Sequence, residues 1–318
     1  MRLMLAKLLK AAVFFLAGSV LHAQTERFVT VDKDVKLQVL DWGGNGRALV
    51  FLAGLGNDAH VFDHLAAQFT RTHHVYGITR RGFGSSSKPP PTIANYSADR
   101  LGDDVLAVIG GLKLDHPVVA GHSIAGEELS SIGSRYPERV AGLIYLDAAD
   151  SYAAYDPKEG DWLLDMIDVR QEIDALESGA PATHASLQKM LTSLVSLQKS
   201  VRDVDTQIAL MPGAPPPPPP PIAQAIRFGE QKYTAIGAPV LAIVACPHNF
   251  DALFRDNPKG VAALKAKDVT YCNARIRAMR NAAPRIVVVT LPDADHYIFR
   301  SNEQDVVRAM NAFLAGLK

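Results

Sequence analysis

A serine hydroxyl becomes a nucleophile when a tight turn exposes it and a base accepts its proton. The run Val118-Val119-Ala120-Gly121-His122-Ser123-Ile124-Ala125-Gly126 has the composition of such a turn, a strand entering a helix directly. Small residues are needed beside the serine because strand and helix approach closely there. Gly121 supplies one at −2, while the +2 position carries Ala125, followed by Gly126. Ser123 then stands at a helix N-terminus, where backbone N–H groups and the dipole favour negative charge.

Of the ten histidines, His296 is the best placed base. It lies in Leu291-Pro292-Asp293-Ala294-Asp295-His296, a loop between the last apolar strand and the closing helix. In a parallel sheet that loop emerges on the same carboxyl edge as Ser123. His122 adjoins the serine but points away from the elbow and is expected to be structural. His60, His64, His73, His74, His116 and His184 follow no metal-ligand spacing, and no metal is expected. Acyl transfer also needs donors for an oxyanion. Phe51-Leu52-Ala53-Gly54-Leu55-Gly56 can offer the N–H of Leu55, to act with that of Ile124.

These side chains have to be positioned by an alternating framework. Phe28–Val31 and Val35–Leu40 form a hairpin around Asp32-Lys33-Asp34. Strands then follow at Ala48–Leu52, His74–Ile78, Val118–Ala120, Val140–Leu146, Val240–Ala245 and Ile286–Thr290. Helices are expected at Ala59–Phe69, Ala98–Leu112, Ile124–Arg135 and Val306–Leu317. Strands apolar on both faces imply an α/β fold, a mostly parallel sheet with helices on both faces. The alternation stops at Asp150 and resumes near Pro239. This divides the chain into a core of 24–150 and 237–318 and an inserted helical cap over 151–236. Within the cap, Leu187, Met190, Leu191, Leu194, Val201, Val204 and Ile208 mark an amphipathic helix. Pro215–Pro221 follows it, a polyproline II spacer.

The N-terminus carries Arg2, Lys7 and Lys10, an apolar run from Ala11 to Leu21, and Ala23. Residues 1–23 are therefore expected to be a signal peptide, with a retained anchor as the alternative. Lys7 and Lys10 interrupt the apolar stretch, so no stable membrane span is expected after cleavage. The expected location is periplasmic or secreted. Export permits a disulfide between Cys246 and Cys272, the only two cysteines, with two free buried thiols as the other possibility. The 318 residues, 48% hydrophobic and of zero formal charge, carry no long Lys/Arg cluster, which argues against a nucleic-acid partner.

Together, the strand with its oxyanion loop, Arg81-Gly82-Phe83-Gly84-Ser85-Ser86, the elbow and the final His296 resemble the α/β-hydrolase superfamily, in its cap-bearing esterase, lactonase and dehalogenase branch. The resemblance implies a serine hydrolase acting on an ester or lactone, with no cofactor. In most members the acid that orients the histidine follows the strand after the cap, which here falls near His248 in Cys246-Pro247-His248-Asn249; no carboxylate stands there. In a minority the acid follows the strand after the elbow helix, and that position is Asp147, with Asp251 in reserve. Serine rather than aspartate at the elbow disfavours the alkyl-enzyme chemistry of dehalogenases and epoxide hydrolases.

Glu127 and Glu128 are accounted for by the helix start, and Arg80 and Arg81 by the glycine loop they hold. Trp162 and Phe228 are candidate substrate contacts in an apolar cap chamber. Two other functions stay open. The fold could bind a ligand with little turnover. Alternatively Gly54-Leu55-Gly56-Asn57-Asp58-Ala59 could be a dinucleotide loop, with Arg80 and Arg81 holding the 2′-phosphate of NADP.

Overall fold

The structure, a computed structural model, describes residues 24–209, 217–251 and 258–317. The expected signal peptide, and Pro215 and Pro216 of the proline run, lie outside the described residues. No helix among those described is long and apolar enough to cross a membrane.

Eight strands form one sheet: β1 (Thr25–Asp32), β2 (Val35–Gly43), β3 (Ala48–Leu52), β4 (His74–Ile78), β5 (Val118–His122), β6 (Gly142–Leu146), β7 (Val240–Ala245) and β8 (Ile286–Leu291). Their order is β1-β2-β4-β3-β5-β6-β7-β8. The β1–β2 and β2–β4 pairs are antiparallel and the remaining pairs parallel. The helices are α1 (Asp63–Ala67), α2 (Ile93–Tyr96), α3 (Ala98–Gly111), α4 (Ala125–Arg135), α5 (Trp162–Glu177), α6 (His184–Ile208), α7 (Pro221–Arg227), α8 (Pro258–Ala282), α9 (Ile298–Ser301) and α10 (Glu303–Gly316).

Side chains alternate across the sheet as the pleat requires. Val50 and Leu52 of β3 join one core layer, with Val105 and Ile109 of α3, Leu129 of α4 and Met279 of α8. Leu49 and Phe51 join the other, with Leu65 of α1, Phe299 of α9 and Met310 of α10. β3, β5, β6 and β7 are buried along their whole length, which explains their unbroken apolar runs.

Local chemistry shifts several expected boundaries. The helix expected over Ala59–Phe69 begins instead as a 3-10 turn, Ala59–Phe62, because the Asp58 side chain accepts from the His60 N–H and tightens the entry. Between β6 and β7 the chain forms α5, α6 and α7. Asp161 caps α5 by accepting from the N–H groups of Leu163 and Leu164. Pro220 has the polyproline II geometry of φ −56° and ψ 152°, whereas Pro221, expected in the same spacer, opens α7. The long helix α8 has no counterpart among the elements expected from the sequence. A disulfide from Cys246 to Cys272 ties it to the end of β7, with 6.1 Å between the Cα atoms.

Candidate active site

Because β3 and β5–β8 run parallel, their carboxyl ends deliver Gly54, Ser123, Asp147, His248 and His296 to one edge. Ser123 takes φ +55°, the left-handed conformation of a strained turn. Its neighbours show why the flanks are small. A Cβ on Gly121 would lie 2.9 Å from the Ala125 Cβ, and one on Gly126 only 2.1 Å from the Ala148 carbonyl oxygen. Ala125 fits at +2 because Gly121 makes room for it and Gly126 takes the closest approach.

The His296 Nε2 lies 2.9 Å from the Ser123 Oγ, and its Nδ1 lies 2.7 Å from Asp147 Oδ2. His122 packs beside it, ring centroids 4.7 Å apart, with its Nε2 3.0 Å from the His296 carbonyl oxygen. Burial, and then the nearby His296, push the His122 pKa down to about 4. His122 is thus neutral at pH 7, and its Nε2–H donates to the backbone that carries His296.

Asp147 is almost fully buried, which by itself raises a carboxyl pKa. Hydrogen bonds from His248 and His296 outweigh that burial and hold it down at about 2. Its Oδ1 accepts from the Ala245 N–H at 3.0 Å, and Oδ2 also lies 2.9 Å from His248 Nε2. The other nitrogen of His248 is 3.0 Å from Asp268 Oδ2, which accepts the His248 backbone N–H as well. Sequence reasoning missed His248 and Asp268. The only signal was a histidine where most relatives of the fold carry the acid. Asp251, the reserve, does not enter the site: its side chain is 71% exposed and 3.4 Å from Lys265. Asp147, His248 and His296 also form the one described cluster compact enough to hold a metal ion. Their ring nitrogens converge on a shared carboxylate oxygen, as hydrogen-bond donors do, rather than on a common empty centre.

Leu55 and Ile124 flank the serine, and no hydrogen bond from either backbone N–H is found among the described residues. The loop bearing Leu55 abuts the elbow: a Cβ on Gly54 would fall 3.2 Å from the Ser123 Cβ. Arg80 fastens this junction. It makes a bidentate pair with Glu128 of α4 at 2.6 and 2.7 Å and donates to the Ala53 carbonyl at 3.0 Å. Arg81 pairs with Asp104 in the same fashion. Neither arginine is available for a 2′-phosphate. The glycine loop also leads into the 3-10 turn, whose first donor is already taken by Asp58, so it offers no open helix terminus to a dinucleotide pyrophosphate. Glu127 is fully buried, and burial, then Glu230 and Glu128, raise its pKa well above the usual carboxylate range.

A cavity of about 520 Å³ lies between the segment linking β6 to β7 and α8, lined by Trp162, Lys199, Arg227, Lys267, Tyr271 and Arg275 among others. A smaller one of about 70 Å³ shares Tyr152, Tyr271 and Arg275 with it and reaches His248, Asp147 and His296. Ser123 lines neither. The chamber expected to be apolar is therefore mixed in character. Trp162 borders it, but Phe228 does not: it follows α7 and is 37% exposed. Ile124, next to the serine, belongs to an apolar cluster with Tyr96, Leu101, Ala225 and Ile226, against which Leu55, Phe83 and Ile222 pack.

A family profile described as the alpha/beta hydrolase family matches residues 49–309. The chain belongs to that family, as the sheet order and the elbow lead one to expect. It is 23% identical over 284 residues to the 2-(acetamidomethylene)succinate hydrolase of Mesorhizobium japonicum, covering 85% of this chain and 89% of that one. A fluoroacetate dehalogenase from Burkholderia is 28% identical over 116 residues, 36% of this chain and 38% of that protein. Among solved structures, that of a membrane phospholipase A superposes with a TM-score of 0.59 at 21% identity, over 92% of this chain and 86% of that one.

Proposed function

We propose that this protein is a serine hydrolase that cleaves a carboxylic ester or lactone through an acyl-enzyme. The observation that carries the proposal is the continuous chain from Ser123 Oγ through His296 to Asp147, at 2.9 and 2.7 Å, on an elbow with a left-handed serine. His296 Nε2 accepts the Ser123 proton as Oγ attacks the carbonyl carbon. Asp147 fixes the tautomer that leaves Nε2 free and stabilises the imidazolium. The oxyanion then meets the N–H groups of Leu55 and Ile124, each such donor typically worth about 3 kcal/mol in a water-poor site. His296 returns the proton to the leaving alkoxide, and a water repeats the sequence to release the acid.

Relatives in the family include a dehalogenase, which breaks a different bond. The serine at the elbow favours acyl transfer, because a dehalogenase-type mechanism needs a carboxylate whose ester intermediate water can cleave. Trp162 is the proposed substrate contact of the cap, while the position of Phe228 gives it a weaker claim. We also propose export to the periplasm or beyond, with the Cys246–Cys272 disulfide as support.

A fluorophosphonate probe followed by peptide mass analysis tests the assignment. Labelling of Ser123 in the wild type, lost in Ser123→Ala, is expected. Equal labelling of both proteins refutes it. A protein that is labelled but turns over no ester or lactone in a broad panel is instead a ligand-binding member of the fold.

A further inference from the structure

We propose that His248 is a positioning residue of this site, a doubly protonated imidazolium clamped between Asp147 and Asp268 that aims and charge-balances the triad acid. The inference rests on the serine-hydrolase assignment above. Its basis is geometric. His248 Nε2 is 2.9 Å from Asp147 Oδ2, and Nδ1 is 3.0 Å from Asp268 Oδ2. An ionised carboxylate only accepts, so both contacts are hydrogen bonds only when both ring nitrogens carry protons. The two carboxylates outweigh the cost of burial and raise the His248 pKa to about 10, in keeping with that geometry.

The arrangement solves a problem set by the position of the acid. Asp147 follows β6, so the place after β7 is left for another group to fill. His248 fills it, anchored by the backbone bridge to Ala294 and by the N–H of Asn249 donating to the Ala294 carbonyl. From there it shares Asp147 Oδ2 with His296 and limits the directions the carboxylate can take. Asp268 offsets its charge, so Asp268, His248 and Asp147 together present one net negative charge to His296, as a single carboxylate would.

The other charged groups facing this cluster are largely paired. Asp150, at the β6 end, pairs with Arg275 of α8. Asp293, from the loop after β8, and Asp251, from the His248 loop, both lie against Lys265. Tyr271 and Tyr152 close the adjoining cavity. The neutral His122, its ring 4.7 Å from that of His296, and Arg300 of α9, over the Tyr297 ring, also face the site and are unchanged in the variants, so His248 and Asp268 are the charges that the test removes.

The signs of the two removals are opposite. His248→Gln leaves two carboxylates near His296 and makes its imidazolium easier to form. The acid limb of the kcat/KM–pH profile then moves to higher pH. At 6.3 Å between rings, an effective dielectric near 20 gives about two pH units, and about one after solvent screening of the half-exposed His296. Asp268→Asn leaves an uncompensated cation and moves the limb to lower pH. His248→Lys keeps a cation and returns the limb towards the wild-type position.

The test is to measure these profiles on a small acetate ester, with fluorophosphonate labelling of Ser123 run in parallel. Opposite displacements in His248→Gln and Asp268→Asn, with labelling retained, are expected. A limb that stays in place, or moves the same way in both variants, overturns the role of His248 while leaving the hydrolase assignment intact. Absence of labelling in the wild type fails the hydrolase assignment and the inference with it. Should the variants not fold, nitrogen-15 spectra of the wild-type histidines decide the matter. A His248 ring still doubly protonated near pH 8 is expected from its pKa of about 10, and a neutral ring there overturns the clamp.

Discussion

Replacing Asp147 by asparagine exchanges one carboxylate oxygen for an NH₂ group and disturbs three hydrogen bonds. The Ala245 N–H requires an acceptor at the Oδ1 position, so the oxygen of the new amide must occupy it. That leaves the amide NH₂ where Oδ2 stood, facing the N–H groups of His296 and His248. An NH₂ group offers no acceptor to either ring N–H. His296 relieves the conflict by moving its proton to Nε2, which then cannot accept the proton of Ser123. The expected loss in kcat/KM is about 10⁴-fold, as for the equivalent serine-protease change, or about 5 kcal/mol of transition-state stabilisation. Stability also falls, because His248 keeps its charge with one partner fewer. The Asp147 carboxyl, at about 2 in the fold against 3.8 as the ordinary value, contributes about 2 kcal/mol at neutral pH. Its folded pKa is depressed, so this contribution is present above about pH 4 and is lost as pH falls towards about 2. Initial rates on a small acetate ester, with thermal melts of the same samples at pH 7, separate chemistry from folding. Asp251→Asn serves as the contrast and is expected to stay near wild type, given its exposed side chain. A folded Asp147→Asn enzyme within tenfold of the wild-type rate refutes the tautomer reasoning.

Three other outcomes are expected. Gly54→Ala drives a Cβ to 2.8 Å from His122 Nδ1 and 3.2 Å from the Ser123 Cβ; kcat/KM should fall about 10²-fold with KM little changed, and wild-type kinetics would mean that the oxyanion loop is not held where Leu55 is assigned. Cys246→Ser with Cys272→Ser opens a loop of sequence separation 26 and should cost about 3 kcal/mol in urea unfolding; an unchanged midpoint would count against a stabilising bridge. Trp162→Ala should alter the ranking of acyl chain lengths by about tenfold because it borders the large cavity. Phe228→Ala should leave that ranking alone, and the opposite result would place the substrate elsewhere.

What the sequence determined by itself was local. An apolar strand, a glycine, a serine and a helix start within a few residues define the elbow, because the steric demands of that turn act only on its immediate neighbours. The same holds for the alternation that produced the strands of the sheet, and for His296, whose place after the last strand follows from chain order and parallel pairing. Helix α5 leaves little trace in the sequence, because its apolar residues do not gather on one face. The same holds for α8, where Lys, Arg and Asp interrupt the apolar positions on every side. Only the tertiary structure set Asp147 rather than Asp251 against His296, since that depends on which carboxylate reaches the imidazole across β6, β7 and β8. It alone brought Asp268 of α8 to His248, turned Arg80 inward to Glu128, joined Cys246 to Cys272, and placed Trp162 on the cavity and Phe228 off it. Each of these contacts links residues far apart in the chain. Their energies depend on burial and on distances of a few ångströms, and no local pattern in the sequence encodes either.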